Sequence, residues 1–493
     1  MHNLKLTLPA IICTVSFALA ASSSRVDARG AATDKVPITT SSAEARGLYL
    51  KGRELAEKLR ATDGRKFYEQ AVAKDADFAL AHLGLANTAG TTREFIDAVT
   101  RAAALAGRVS EGEKHMVLGL DAAMKGNVEE VLAHYKELVR LFPNDERAHT
   151  LLGNLHFGRQ EYDAAVKEFV RATAIDPSFS QPYNQLGYAY RFLDKLDDAE
   201  AAFKKYVQLI PDDPNPHDSY AELLMKRGRF AESIAAYEKA LSLDPNFVAS
   251  HVGIGNNYLC EGRTDQARTA FARIAAVART TGERRLARFW TAASYVHDGA
   301  TDKALEELRA EYALAEAERD SASMSGDLVQ MGDVLREAGR LDEASAKYTE
   351  AVKVIDQSTV PQQVKDATRR NHVFEAGRVA AARGDLAAAR SKADEYAALI
   401  AARKAPFEVR QLHELRGSIA LADKRGTEAV KELTQANQQD PKVLYLTALA
   451  FRESGDARQA AAFAGKAARF NGLAFNYGYV RTKAATLAGP ATQ

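Results

Sequence analysis

Pro143, Pro177, Pro211 and Pro245 stand 34 residues apart, in the contexts RLFPND, AIDPSF, QLIPDD and SLDPNF. A fixed period of this length marks a chain built from stacked supersecondary units. Proline inside a helix loses a hydrogen bond and clashes with the preceding turn. Yet the sequence on either side is rich in Ala, Leu, Glu, Lys and Arg, all good helix formers. The two facts agree if each proline closes one helix pair. In LIPDDPNPHDSY, residues 209–220, Pro214 and Pro216 then fall in the first turn of the next helix. There the N–H has no intrahelical partner, so proline is tolerated.

Each unit carries a second mark, two small residues twelve positions apart. The pairs are Gly52/Gly64, Ala86/Ala98, Gly119/Val131, Gly153/Ala165, Gly187/Ala199, Ala221/Ser233 and Gly255/Ala267. They continue as Ala292/Ala304, Gly332/Ala344, Gly377/Ala389, Gly417/Ala429 and Ala448/Ala460. Only Val131 is not Gly, Ala or Ser. Such pairs mark where two antiparallel helices cross closely, since a large side chain would push the backbones apart. Between the two members lies a turn, often at glycine: Gly126, Gly228, Gly262, Gly299, Gly339, Gly384 and Gly455.

HTLLGNLHFGRQEYDAAVKEFVRATAIDP at 149–177 and DSYAELLMKRGRFAESIAAYEKALSLDP at 218–245 combine these small, aromatic and proline positions. They resemble the tetratricopeptide repeat. The resemblance is strong over 111–279. It is weaker over 43–110, where Ala76 takes the proline position. Beyond residue 280 the spacing of the first small residues becomes 37, 40, 45, 40 and 31, so residues 280–470 read as longer, divergent repeats. The resemblance implies an all-α fold, a right-handed superhelical solenoid of antiparallel helix pairs whose first helices line a concave groove. FNGLAFNYGYVRTKAATL, within 471–493, is expected to form a last helix that covers the final repeat.

The N-terminus, MHNLKLTLPAIICTVSFALAASSS, has a basic residue, an apolar run from Leu6 to Leu19 and an Ala18-Leu19-Ala20 cleavage pattern. Residues 1–20 read as a secretory signal peptide. Residues 21–42, small and polar, read as a disordered leader. Export to a bacterial periplasm or to the outside is expected, with no membrane span after cleavage. Removing the signal leaves one cysteine, Cys260, so no internal disulfide can form. With 66 Lys and Arg against 65 Asp and Glu, the chain lacks the basic excess of a nucleic-acid binder.

A search for chemistry finds no H-E-x-x-H, G-x-x-x-x-G-K-[ST], C-x-x-C or G-x-S-x-G. GIGNNY at 253–258 lacks the third glycine and the preceding strand of a dinucleotide site. His149, His217 and His251 share one repeat position, and packing explains them better than a metal does. Cys260 reads as an inert, partly buried thiol. Carboxylates in DAEAAF, LDEAS and ALEELRAEYALAEAERD alternate with Lys and Arg and read as solvated helix faces. No catalytic residue, metal or cofactor is assigned.

The groove is then the candidate site. By repeat register it carries Asn154, Asn184, Tyr188, Arg191, Glu222, Met225 and Asn256. Amides suit a peptide backbone, while Arg and Tyr suit anchoring contacts. The family's carboxylate clamp would need Lys and Asn at Thr150 and Asn154, Asn at Gln185, and Lys and Arg at Asn215 and Ser219. Only Asn154 fits. The expected function is a non-enzymatic scaffold for a protein or peptide. A regulatory repeat protein sensing a peptide or small ligand is the alternative. An enzyme hidden in residues 280–493 would need a converging polar pocket with perturbed carboxylates, or His297, His372 and His413 brought together.

Overall fold

The computed structural model describes residues 35–489 apart from 59, 91 and 404. The expected signal peptide and residues 21–34 of the expected leader lie outside the described residues. The described residues form 25 α-helices and one short 3-10 turn, with no strand among them. They divide into two compact units, one ending at Tyr220 and the other beginning at Ala221. The division falls within one helix, α11 (Pro214–Lys226).

The first unit holds ten helices packed each against the next. They are α1 (Ala43–Glu57), α2 (Ala61–Lys74), α3 (Ala79–Asn87), α4 (Thr92–Leu105), α5 (Glu111–Met124), α6 (Val128–Leu141), α7 (Glu146–Gly158), α8 (Tyr162–Ile175), α9 (Gln181–Phe192) and α10 (Leu196–Leu209). Odd-numbered helices are the first of each repeat and even-numbered helices the second. The repeat closes as the prolines imply, and Pro214 is the first residue of α11.

The small residues do what their spacing suggests, with one addition. A Cβ on Gly153 of α7 would lie 2.6 Å from the ring of Phe169 on α8. The glycine therefore makes room for an aromatic ring as well as for Ala165, and both Ala165 and Phe169 are fully buried. The glycines named for the turns all have positive φ, from 69° at Gly299 to 88° at Gly455. Where the repeat lacks glycine, Gln160 and Asp194 adopt the same left-handed conformation at φ 61°.

The histidine slot has a specific task. His149 Nε2 bonds the carbonyl oxygen of Pro143 at 3.1 Å, and His217 bonds that of Pro211 at 2.9 Å. His251 does the same to Pro245 at 3.2 Å, and His82 to Ala76 at 2.9 Å. In each case a ring on the first helix holds the loop that closes the preceding repeat. Where the slot is Tyr183, its hydroxyl donates to the carbonyl of Pro177 at 3.3 Å.

Residues 35–41 correct the expectation of a disordered leader. Val36 is fully buried and Ile38 nearly so. The Val36 N–H donates to Asp145, the N-cap of α7, at 2.8 Å. The Thr39 N–H donates to Glu113 of α5 at 2.8 Å, and Lys35 pairs with Glu146. A Cβ on Gly112 would sit 2.7 Å from Val36, so this glycine opens the seat. The small polar composition concealed an alternation in which Val36 and Ile38 face inward while Lys35 and Thr39 meet carboxylates.

The second unit continues the pattern with α12 (Phe230–Leu243), α13 (Val248–Glu261), α14 (Thr264–Val277), α15 (Thr281–His297), α16 (Thr301–Ala317), α17 (Ser321–Glu337) and α18 (Leu341–Asp356). It ends with α19 (Gln362–Arg383), α20 (Leu386–Ile400), α21 (Pro406–Ala422), α22 (Gly426–Leu433), α23 (Pro441–Glu453), α24 (Ala457–Ala468) and α25 (Tyr477–Ala488). The wide spacing beyond residue 280 is real helix length: α15, α16 and α17 have 17 residues each and α19 has 22. Ser233 on α12 donates to the carbonyl of Ala221 on α11 at 2.7 Å, a direct measure of how closely the small pair approaches.

The last helix covers the final repeat, since α25 packs on α23 and α24, but it also packs on α15. Arg481 donates to the carbonyl of Leu259 on α13 at 3.1 Å and to that of Cys260. Lys226 of α11 donates to the carbonyl of Phe470 at 2.9 Å. Phe475 meets Phe289 of α15 with ring centroids 4.8 Å apart. The segment 470–488 therefore lies against first helices that begin this unit as well as against those that end it.

Candidate functional site: a charged cleft on first helices

Three first helices of the second unit present the same pattern of spacing. They carry Gln330, Asp333 and Glu337 on α17, Asn371, Phe374 and Arg378 on α19, and Phe407, Arg410 and Glu414 on α21. Steps of three and four place each trio on one helix face. These faces converge on one cleft of about 180 Å3, closed by Lys442 at the start of α23 and by residues 470–479.

The lining is densely charged. Arg336 donates to Asp333 at 2.9 Å and to Glu337 at 2.7 Å, and Lys442 also pairs with Glu337. Arg378 lies 3.0 Å from Glu375 and 3.5 Å from Asp333. Asp440 caps α23 through the Lys442 N–H at 2.7 Å and accepts from Asn476 at 2.9 Å. The Tyr348 hydroxyl donates to Asp333 at 3.0 Å.

Burial works against every charge here, and the neighbours decide the outcome. Burial would raise Glu337, but Lys442 and Arg336 together outweigh it and hold the carboxyl well below its usual range. Asp333 is likewise held down, with Arg378 and Arg336 overcoming burial. Glu375 goes the other way: burial, with Asp333 adding to it, pushes it up to about 7 despite Arg378. Burial also raises Glu414. The cleft thus holds two well-compensated carboxylates and two that are poorly compensated.

The residues assigned to the groove by register fall elsewhere. Asn154 on α7 and Asn184 on α9 are buried, and neither amide group of Asn154 has a hydrogen-bond partner. Tyr188 and Arg191 do come together: Arg191 stacks 5.1 Å over the Tyr188 ring, whose edge meets Phe203 at 5.2 Å. Glu222 and Met225 on α11 are buried, Met225 completely. Asn256 on α13 is buried and bonds its own helix at the Val252 carbonyl, 3.0 Å away. Asn154, Asn184, Glu222, Met225 and Asn256 are thus buried side chains of their first helices. Their register is that of a first helix, but the positions are packed over.

The polar convergence required of the C-terminal half exists, without the histidines. His297 lies against Tyr477, and His413 pairs with Glu432 at 2.7 Å. Neither these nor His372 line the cleft, and among the described residues no Ser, Thr or Cys does. Among the described residues no group of three or more His, Cys, Asp or Glu could hold a metal ion, and no helix is long and apolar enough to cross a membrane. The reading of carboxylates as solvated faces fails at Glu311 of α16, which is buried 3.3 Å from Arg285. What the sequence did offer was the repeated three-then-four spacing of charged, amide and aromatic residues on α17, α19 and α21.

The family description "Tetratricopeptide repeat" matches residues 116–181, 150–214 and 252–319, and "TPR repeat" matches 221–262. Tetratricopeptide repeats thus occupy residues 116–214 and 221–319, the stretch that carries the helix pairs, seam and closing prolines described above. Among curated proteins it is similar to the Protein STIP1 homolog of Dictyostelium discoideum, 36% identical over 93 residues, covering 19% of this chain and 16% of that protein. It is also similar to the mitochondrial import receptor subunit TOM70 of Saccharomyces cerevisiae, 28% identical over 141 residues, covering 28% of this chain and 23% of that protein. The chain thus spans less than a quarter of the length of either relative. Among solved structures, the APC/C hetero-tetramer Cut9–Hcn1 matches at 16% identity with a TM-score of 0.39, over 86% of this chain and 76% of that one.

Proposed function

We propose that this protein is an exported, non-enzymatic repeat protein that holds a protein or peptide partner on its first helices, with the cleft of the second unit as the centre of recognition. One observation carries the reading: the first helices of three successive repeats turn matching faces into a single charged cleft. Ion pairs of this density in a pocket cost desolvation. They are retained where they orient groups for recognition. Export rests on the sequence of residues 1–20, and a periplasmic or extracellular partner follows from it.

The test places a photo-crosslinking amino acid at Gln330 or Asn371, in cells that make the full chain. Crosslinks from both positions to one contiguous stretch of one protein support the reading. Crosslinking of no protein at either position, with efficient crosslinking at a buried control such as Leu328, overturns it. A second reading, regulation by a small ligand, is favoured by the enclosure of the cleft behind residues 470–479. At about 180 Å3 it is smaller than the roughly 300–1,000 Å3 of pockets for drug-sized molecules.

A further inference from the structure

We infer that the cleft receives an organic ammonium group, seated between Glu414 and Glu375 and shielded by the surrounding aromatic rings. The inference rests on reading the cleft as the binding centre and goes on to name the chemistry of what enters it.

Five carboxylates line the cleft, Asp333, Glu337, Glu375, Glu414 and Asp440, against four cations, Arg336, Arg378, Arg410 and Lys442. With all five carboxylates ionised, as they are once Glu375 gives up its proton, one further positive charge balances the lining. That charge is missing at Glu414. Glu337 is held by Arg336 and Lys442, and Asp333 by Arg336 and Arg378. Glu414 accepts no hydrogen bond among the described residues, and its nearest cation is Arg378 Nε at 3.8 Å. Its side chain is only 16% exposed. A carboxylate this buried normally has hydrogen-bond partners.

Two further features fit an ammonium specifically. Tyr479 lines the same cleft with a buried hydroxyl that has no partner, a ready acceptor for an N–H. Phe289, Phe407 and Phe475 complete the wall, and aromatic faces attract alkylammonium ions where water is excluded. A metal ion fits less well, because Arg378 and Arg336 stand within the same lining and oppose a compact dication. The ammonium could be that of a free alkylamine or that of a lysine side chain on a peptide partner.

The same groups give the binding a pH dependence. Glu375, facing Asp333, Arg336, Arg378 and Glu414, carries a proton up to about pH 7. An arriving cation expels that proton, so affinity rises as pH increases through this range.

The experiment titrates the mature chain, 21–493, by calorimetry with two probes, cadaverine and Nα-acetyl-lysine amide, at several values of pH. Saturable binding of either probe, tighter at pH 8 than at pH 6, supports the inference. Cadaverine binding more tightly assigns a free amine, and lysine amide binding more tightly assigns a peptide side chain. Glu414→Gln is to weaken the better probe by about tenfold, while Glu343→Gln, on the exposed face of α18, leaves it unchanged. Tyr479→Phe removes only a hydroxyl and is to weaken it by a few-fold. It keeps the test open if Glu414→Gln fails to fold. Absence of saturable binding for both probes, or equal binding by both cleft variants, overturns the inference. Crosslinking from Gln330 and Asn371 that is indifferent to these variants would sink the ammonium while leaving the partner-binding reading standing. Amine binding without any protein crosslink would do the reverse.

Discussion

Arg481 donates to the carbonyl oxygen of Leu259, 222 positions earlier in the chain, at 3.1 Å. With the Cys260 carbonyl it takes two acceptors in the last turn of α13, and the Leu259 oxygen accepts from the capping Gly262 N–H as well. This contact fixes α25 on the second unit. Cys260 lies beneath it against Tyr477 and Val480.

Replacing Arg481 by Ala should therefore unseat α25. Hydrogen bonds to a charged group contribute about 1.5–3 kcal/mol, and a loss of that size in urea unfolding is expected. Cys260 gives a direct readout, because burial pushes its thiol up to about 12 and makes it inert in the native state. Alkylation of Cys260 in a chain comprising residues 21–493 should accelerate at least severalfold in the variant. An unchanged alkylation rate would show that α25 is held by other contacts.

The seam makes a sharp contrast between two glycines on the same helix. Gly153→Ala drives a methyl to within 2.6 Å of the Phe169 ring, and overpacking of this kind costs about 1–3 kcal/mol. Gly158→Ala meets nothing within 4 Å and gains up to about 1 kcal/mol of helix propensity. Thermal unfolding of the two variants should move in opposite directions. Movement in the same direction would mean that the seam can repack.

Gln160 holds a left-handed conformation at a turn where seven other repeats have glycine. A side chain in that region costs about 1–2 kcal/mol relative to the right-handed one. Gln160→Gly should raise the unfolding free energy by about 1 kcal/mol, read from the urea midpoint at constant m-value. A lower midpoint would refute the strain.

Two buried groups in the second unit give opposite pH trends. Glu375 is raised to about 7, so its contribution is complete below about pH 4.5 and is lost as pH rises through 7. His297 is lowered to about 4 by burial and by Arg481, so its contribution is present above about 6.5 and is lost as pH falls through 4. Glu375→Gln should abolish the first trend, making stability rise relative to the parent between pH 5 and 8. His297→Asn should remove the acid-side loss. Each effect is on the order of 1–3 kcal/mol. Parallel stability curves for parent and variants would refute the assignments.

The repeat was legible because its marks are local. A proline, a glycine in the left-handed region and a ring that needs a missing Cβ each declare themselves within a few residues. The same holds for the histidine slot, although its bond to the proline carbonyl six residues earlier was read only as packing. The cleft was not legible for the opposite reason. Whether Asp333 or Glu375 meets water or a neighbouring helix depends on what α25 and the long α19 cover. Register places Asn256 on a first helix correctly but cannot say that the position is packed over. Val36 and Ile38 were missed because two apolar residues in a polar stretch carry no periodicity until α5 and α7 are in place.

An open stack of repeats unfolds from its ends, since each terminal unit has a neighbour on one side only. In the second unit, residues 470–488 are tied to α11, α13 and α15. The last repeat therefore cannot fray without breaking contacts made by the first. Melting here should be a single cooperative event with no ladder of partly unravelled states, and any occupant of the cleft would be released all at once.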